Sequence, residues 1–217
     1  MIDLHTHTLF SDGVLLPSEL VRRAAVAGYK AIALTDHVDA SNIDLVVPRL
    51  ATASKELDGK FGIRVVPGAE LTHIPPEDMA NLARKARSLG ARLIVAHGET
   101  LSEPVAPGTN LAALESDIDI LAHPGLITEE EVRLAVKRRI YLEVSGRKGH
   151  SLSNGHVVKQ ALMLGAALVL NSDAHEPGDL LSHDRARRVL LGAGWPEERL
   201  GEVFGHSAQL VEKSMSR

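Results

Sequence analysis

The chain of 217 residues contains no cysteine. Disulfide frameworks and thiolate metal sites are therefore excluded, so nitrogen and oxygen atoms must hold any metal ion. Aromatic residues make up only 3% of the chain, the formal net charge is −4, and lysine and arginine form no long block. These features make duplex nucleic acid an improbable partner, because binding it requires phosphate neutralisation, and they leave few rings on which single strands could stack.

The sequence also lacks an apolar run long enough to span a membrane, and its first residues lack the basic and apolar regions of a signal peptide. We therefore expect no membrane association and a cytoplasmic location. The length predicts one domain over residues 1–217, and the apolar content of 44% is sufficient for a hydrophobic core. No feature of the sequence indicates an oligomeric state.

Histidine is abundant, with 11 residues, and two of them open the chain. Near the amino terminus, Ile2, Leu4 and Thr6 alternate with Asp3, His5 and His7, which is the period of a β-strand. Side chains two residues apart on a strand share a face, so His5 and His7 can bind one ion together. Alone, this pair could equally be a chance arrangement.

Seven short apolar runs alternate with amphipathic segments along the chain. The predicted strands lie at residues 2–7, 31–34, 63–66, 92–96, 118–122, 141–145 and 167–171. This alternation predicts parallel strands joined by right-handed crossovers in a closed or nearly closed barrel of the α/β class, a (β/α)7 TIM-like barrel. Helices from about residue 184 are expected to pack on the barrel.

Local signals add three further expectations. Pro75 to Asp78 predicts a helix start, since proline suits the first turn and acidic residues suit the positive end of the helix dipole. Thr128 to Glu131 has the pattern of a capping box. Residues 98–110 contain two prolines and two glycines and predict a long loop, which in a compact domain is more often functional than accidental.

Metal-ligand residues follow nearly every predicted strand. Parallel barrels carry their chemistry at the carboxyl ends of the strands, where such residues converge. Those that follow the strands are His5, His7, His37, Glu70, His97, His123, Asp173 and His175. Scattered structural histidines would not fall after one strand after another, so the pattern indicates a metal centre.

This ordered set resembles the polymerase-and-histidinol-phosphatase (PHP) family of metal-dependent phosphoesterases. The matching motifs are His5-x-His7-Thr8 with Ser11-Asp12-Gly13, Thr35-Asp36-His37, Gly68-Ala69-Glu70, His97, His123-Pro124 and Ser172-Asp173-Ala174-His175. Each motif is weak alone, but the ordered set is specific and extends from residue 5 to residue 175. The resemblance implies a distorted seven-stranded barrel, in agreement with the strand count.

The resemblance also implies three divalent ions, which could be zinc, manganese or iron. One would be held by His5, His7, Glu70 and Asp173, and a second by Glu70, His97 and His123. The third would be held by Asp12, His37 and His175; family members often carry histidine in place of Asp12. The ions would supply a bridging hydroxide for attack on phosphorus, with Glu70, Asp173 and His175 as the catalytic residues.

Four residues near the predicted active end are candidates for substrate contact. They are Arg147, Lys148, His150 and His183, although each could equally be a solvated surface residue. A guanidinium in this place could bind a phosphate. His73 could line the pocket, and Glu143 is expected to serve as a barrel or salt-bridge residue rather than as a catalyst.

The expected function is hydrolysis of a small phosphomonoester, as by a histidinol phosphatase. The first alternative is a nucleotide- or oligonucleotide-directed phosphoesterase, including a TatD-like deoxyribonuclease; the third cluster and the low charge disfavour it. An amidohydrolase is disfavoured because strand four ends in His97 and offers no bridging lysine. The last alternative is a metal-stabilised binding module without activity.

Overall fold

The computed structural model describes residues 1–217. The strand segments are β1 (Ile2–Asp3), β2 (Ala31–Leu34), β3 (His37–Val38), β4 (Arg64–Leu71), β5 (Leu93–His97), β6 (Ile120–Ala122), β7 (Tyr141–Ser145) and β8 (Leu168–Asn171). The α-helices are α1 (Pro17–Val26), α2 (Ile43–Leu57), α3 (Met79–Ser88), α4 (Thr109–Glu115), α5 (Glu129–Arg138), α6 (Asn154–Leu164), α7 (His183–Gly192) and α8 (Leu200–Met215). Short 3-10 turns lie at Pro76–Asp78, His150–Ser153, Pro177–Asp179 and Glu197–Arg199.

The strands form one parallel sheet in the order β1-β2-β4-β5-β6-β7-β8. Segments β2 and β3 both pair with β4, so they are two parts of one interrupted strand and the sheet has seven positions. Its two edges meet at a single bridge between Thr6 and Ala174, where the His7 backbone N–H donates to the Ala174 carbonyl at 2.8 Å. The predicted barrel of seven parallel strands, nearly closed, is confirmed.

Apolar side chains fill both faces of the sheet. Successive apolar residues along β2, β4 and β5 belong alternately to one or the other of two clusters, because successive side chains of a strand point to opposite faces of the sheet. The larger cluster packs against the surrounding helices. The smaller cluster contains Ala33, Val66 and Val95 together with Leu210 and Val211 of α8. Helix α8 therefore contributes to the core inside the barrel as well as packing on β8 and β1.

The strand β4 is longer than the sequence suggested, because it runs through Pro67 and includes Glu70. Proline lacks an N–H donor and usually disrupts a central strand. Here Leu34 is the last residue of β2 and is the register partner of Pro67, and pairing resumes only with β3, where His37 lies opposite Glu70. The proline therefore falls where the neighbouring strand is interrupted.

Other boundaries show where local signals succeed and fail. The capping box is present, since the Thr128 side chain accepts from the Glu131 N–H and the Glu131 carboxylate accepts from the Thr128 N–H. Pro76–Asp78 forms a 3-10 turn that leads into α3. The expected loop at 98–110 ends earlier than predicted, because α4 begins at Thr109. At the amino terminus only Ile2–Asp3 forms a regular strand.

No helix combines the length and hydrophobicity needed to cross a bilayer.

Candidate metal centre

A polar cavity of about 370 Å³ opens at the carboxyl ends of the strands, and none of its lining residues is hydrophobic. Its wall is formed by Ser11, Asp12, His37, Asn42, Thr72, His73, His97, Glu103, His123, Arg147, His150, Asp173 and His175. His5, His7 and Glu70 lie fully buried against Asp173 at its base. The nine predicted ligands therefore converge on one place, as the strand-end pattern indicated.

The deepest ligand atoms surround Glu70. The His5 Nε2 lies 3.3 Å from Glu70 Oε2, and the His7 Nε2 lies 3.6 Å from the same oxygen. Asp173 Oδ1 lies 3.2 Å from His7 Nε2 and 3.8 Å from His5 Nε2. His123 Nε2 lies 3.7 Å from Glu70 Oε1. Two histidines and two carboxylates thus enclose a space of the size that one ion with ligand bonds of about 2 Å would need.

A second group lies at the cavity mouth. Asp12 Oδ1 is 3.1 Å from His175 Nε2 and 3.5 Å from His37 Nε2. The ring of His7 stacks against both the His37 and the His175 rings, at centroid distances of 4.2 and 4.0 Å, and those two rings are 5.7 Å apart. The ligand atoms of these four residues all lie within 4.8 Å of one another. This is the group that the family resemblance implied for a third ion, with His7 added.

The remaining predicted ligands, His97 and His123, lie on the opposite side of the cavity. His97, His123 and His150 offer ring nitrogens within 4.8 Å of one another. His97 Nε2 also faces Glu103 Oε2 at 3.1 Å. His97 is thus close to a carboxylate that no sequence motif marked.

Several ligand atoms in this centre are buried and have no hydrogen-bond partner. They are His5 Nε2, His7 Nδ1 and Nε2, Glu70 Oε1, His123 Nδ1 and Asp173 Oδ1, whereas Glu70 Oε2 lies 2.6 Å from His37 Nδ1. Burying such groups without partners costs free energy, and native proteins usually satisfy them. A bound cation would satisfy the imidazole and carboxylate atoms that face one another, so the donor set fits divalent ions that accept nitrogen and oxygen ligands.

Burial and neighbouring charges shift the pKa values of several titratable groups in the cavity. Burial by itself would lower the pKa of His5, but the carboxylates of Glu143, Glu70 and Asp173 raise it well above the usual value. Burial and the neighbouring His37 hold the pKa of His7 well below its usual range. Burial raises the pKa of Asp173 to about 7, against the opposing effect of His5. Ion binding must therefore displace protons from this cluster, which makes affinity dependent on pH.

The sequence matches the PHP domain family over residues 3–141. A protein of Methanocaldococcus jannaschii whose function is uncharacterized is 44% identical over 206 residues, which cover 94% of each chain. The chain belongs to the PHP domain family. A protein of Aeromonas salmonicida named "Probable phosphatase" is 24% identical, over 92% of this chain and 88% of its own. The PolX DNA polymerase/3'-5' exonuclease of Bacillus subtilis is also 24% identical, over 91% of this chain but only 38% of its own.

Among solved structures, a chain of archaeal ribonuclease P bound to mature tRNA superimposes with a TM-score of 0.74. It is 16% identical, and the match covers 100% of this chain and 92% of that one. At this identity the likeness shows a shared fold alone. The family and its phosphatase-named members identify the PHP chain as a metal-dependent hydrolase of the phosphoesterase type.

Two buried acidic residues hold parts of the candidate metal centre of this PHP chain in place. Glu143 Oε2 lies 2.8 Å from His5 Nδ1 and accepts from the Asn171 side-chain amide at 2.8 Å. Asp36 accepts from the Thr8 N–H and from the Ser11 hydroxyl, both at 2.8 Å, and so fixes the loop that carries Asp12. Glu143 was expected to be a barrel or salt-bridge residue, and its contact with His5 is such a pair.

Backbone conformation also contributes to the centre. Asp173 and His123 have positive φ values of 53° and 28°, which are uncommon for residues other than glycine. Such conformations persist where the surrounding structure requires them, often at functional sites. Gly13 is needed for a different reason, since an added Cβ would lie 2.5 Å from the His7 carbonyl oxygen.

Of the four predicted substrate-contact residues, three line the cavity or the depression beside it and one does not. Arg147 lines the cavity, where its Nη1 donates to the Asp173 carbonyl at 3.1 Å and lies 2.7 Å from His175 Nδ1. His150 also lines the cavity and is buried, with its ring stacked on that of His123 at 4.0 Å. Lys148 lines an adjoining depression with Arg147.

His183 does not reach the cavity. It lies exposed in the first turn of α7, where its ring stacks on Phe204 at 5.0 Å. The physical reason is that α7 begins directly at His183 and carries its ring against α8. His73, whose role the sequence left open, does line the cavity, and its Nε2 lies 3.2 Å from Glu103 Oε2.

Sequence reasoning missed Glu103 as a member of the centre. The length of the 98–110 loop signalled function, but no motif distinguishes Glu103 from Glu99 in the same loop. Only the course of the loop brings the Glu103 carboxylate to His97, His73 and His150. Thr72 and Asn42 also line the cavity without a sequence signal.

Proposed function

We propose that this PHP protein hydrolyses a small phosphomonoester, with three divalent ions held at the converging ligands. The observation that carries the proposal is a wholly polar cavity of about 370 Å³ that joins these ligands to the Arg147 guanidinium. When bound, zinc, manganese or iron ions would supply a hydroxide nucleophile at neutral pH and neutralise phosphoryl oxygens.

The proposed ion ligands follow the three groups described above. His5, His7, Glu70 and Asp173 would hold the first ion, and Glu70, His97 and His123 would hold the second. Asp12, His37 and His175 would hold the third. Glu70 is suited to be shared, because Oε2 faces His5 and His7 while Oε1 faces His123. Glu70, Asp173 and His175 would be the catalytic residues.

The Arg147 guanidinium is the proposed phosphate-binding group. It is 30% exposed and lies against Asp173 and His175. An ion held at His175 Nε2 would leave the proton of a neutral ring on Nδ1, and the Arg147 Nη1 would lose that nitrogen as an acceptor. The Arg147 N–H groups that do not bond the Asp173 carbonyl would then be available to phosphoryl oxygens in the bidentate geometry that arginine favours.

The cavity favours a small substrate over an oligonucleotide. Its volume lies at the lower end of the range for small-molecule sites. No phenylalanine, tyrosine or tryptophan lines it, whereas proteins that bind single strands usually stack bases on such rings. A phosphorylated polar metabolite of the histidinol phosphate type is the proposed substrate class.

The test is phosphate release by purified protein reconstituted with manganese or zinc. The substrates are histidinol phosphate, other small phosphomonoesters, nucleotide bisphosphates and a short single-stranded oligonucleotide. We expect turnover of one or more small monoesters. Asp173→Asn should lose roughly 100-fold or more of this activity, because even residues that only hydrogen-bond to metal ligands typically change metal affinity or activity by about 10- to 100-fold. Asp44→Asn, an exposed carboxylate on α2, is the matched control and should keep full activity.

The other outcomes would overturn the proposal in different ways. Selective cleavage of the oligonucleotide or the bisphosphates would show a nucleotide-directed phosphoesterase. Full activity of Asp173→Asn would show that the assigned centre does not perform the reaction. Bound ions without turnover of any substrate would indicate a binding module.

A further inference from the structure

The 98–110 loop brings Glu103 to the side of the cavity that holds His97 and His123. Its Oε2 lies 3.1 Å from His97 Nε2, and its Oε1 lies 3.4 Å from His150 Nε2. The Glu103 side chain is 38% exposed, whereas the His97 side chain is 2% exposed. Glu103 therefore forms part of the wall between the buried histidines and the cavity opening.

The contact between His97 and Glu103 requires a positive charge. The His97 Nδ1 lies 3.1 Å from the Gly98 carbonyl oxygen and can only donate to it. In neutral His97 the lone pair therefore lies on Nε2, which faces the Glu103 Oε2. A lone pair and a carboxylate oxygen repel each other at this distance, unless a proton or a metal ion lies between them.

The distances suit a shared ion. Two donors that each bind one ion at about 2.0–2.2 Å, at angles of about 90–110°, lie roughly 2.8–3.6 Å apart. The Glu103–His97 separation of 3.1 Å is within this range. The charge balance also favours it, because the proposed second ion otherwise has only the shared Glu70 and two neutral imidazoles to offset its two positive charges.

We propose that Glu103 is a ligand of the second divalent ion, together with His97 and His123, and that His150 orients it. This assignment rests on the ion sites of the proposed function. The Thr100 hydroxyl lies 2.7 Å from His150 Nδ1 and can donate to it, which leaves the His150 proton on Nε2, the atom that faces Glu103 Oε1 at 3.4 Å. Polar partners of this kind help to orient metal ligands.

The loop is built to present Glu103 in one place. Glu99 Oε1 accepts from the N–H groups of Gly108 and Asn110, each at 3.0 Å, and so closes the loop on itself. The Asn110 side-chain amide donates to the Pro124 carbonyl at 2.9 Å, next to His123. The loop is thereby tied to the segment that carries another ligand of the same ion.

The test is a metal titration of the chelator-stripped full chain. Zinc or manganese binding is followed by calorimetry, and bound ions are counted by mass spectrometry after gel filtration. The variants are Glu103→Gln and His150→Gln, with Glu77→Gln as a control that removes one exposed acidic charge. Glu103→Gln should weaken one ion by about 10- to 100-fold and leave the others unchanged, with a smaller loss in His150→Gln.

A second readout separates ligation from folding. Glu103→Gln should show a smaller rise in melting temperature on adding metal than the wild type does, each compared with its own metal-free form, because the ion stabilises only the folded state that binds it. Wild-type stoichiometry and affinity in Glu103→Gln would overturn the assignment, whatever the activity. A wild-type protein that binds its ions but releases no phosphate would instead overturn the proposed function and leave the Glu103 result to be judged by the titration.

Discussion

Replacement of Glu143 tests whether the buried network behind His5 supports metal binding. Glu143 is fully buried, and one of its oxygens faces both His5 Nδ1 and the Asn171 amide at 2.8 Å. With the His5 Nε2 bound to an ion, Nδ1–H donates to Glu143, which is the carboxylate–histidine–metal arrangement that fixes the ring and raises its basicity.

Two variants separate charge from hydrogen bonding. In Glu143→Gln the amide oxygen can still accept from His5 and Asn171, and the amide nitrogen takes the place of Oε1, which has no partner. The glutamine therefore removes mainly the charge. Glu143→Ala removes the acceptor as well and leaves two buried donors unpaired.

The expected loss of metal affinity follows from the typical effect of mutating a residue that hydrogen-bonds to a metal ligand. Removing such a partner weakens metal binding by about 10- to 100-fold, which corresponds to roughly 1.4–2.7 kcal/mol. Glu143→Gln should lie near the lower value and Glu143→Ala near or beyond the upper one. The measurement is a competitive titration of metal-free protein against a chelator of known affinity, with Glu115→Gln on the surface as control. Wild-type affinity in Glu143→Ala would refute the role of Glu143 behind His5.

Three further predictions concern other parts of the molecule. Arg147→Lys should raise the KM for the phosphomonoester about tenfold without changing ion content, because lysine lacks the bidentate fork. Arg188→Lys, at an exposed arginine on α7, is the matched control, and an unchanged KM in Arg147→Lys would exclude phosphate contact. Gly13→Ala should destabilise the fold by about 2 kcal/mol in urea unfolding and weaken the Asp12 site, since the new methyl group overlaps the backbone. Asp119→Asn should cost about 2 kcal/mol at pH 7, below the range for fully buried pairs because its basic partners are partly exposed. Burial opposes ionisation of Asp119, but arginine neighbours hold its pKa below the usual value. The stabilisation is thus present above about pH 4 and is lost as the pH falls further, so the difference in stability between the two proteins should shrink as the pH is lowered below about 4, and a constant difference would contradict this account.

Sequence reasoning succeeded where a short-range rule also governs the tertiary structure. Parallel strands bring their carboxyl ends to one end of a barrel, so residues after consecutive strands meet there without further information. Glu70 and His97 agree with this rule, since each lies near the carboxyl end of its strand. His97 lines the cavity, and Glu70 is buried at its base. The capping box at Thr128 was equally predictable, because its two hydrogen bonds involve residues three apart.

The failures have a common physical cause. Whether a strand continues past Pro67 depends on where its neighbour is interrupted, and that register is set by residues more than thirty positions away. His150 and His183 both follow late strands, yet one is buried against His123 while the other lies exposed on α7. The path of a loop after its strand depends on packing against distant residues, and such packing has no signature in the local sequence.

Strand pattern and motifs in the sequence were enough to predict the barrel and the residues that converge on the candidate metal centre. Those properties depend on strand period and on which residue follows each strand, and both are local. The tertiary structure alone decided which side chains complete the centre: Glu103 reaches His97, and Glu143 lies behind His5. Both contacts join residues on different segments of the chain, so they exist only once the barrel has formed and the 98–110 loop has folded over its mouth.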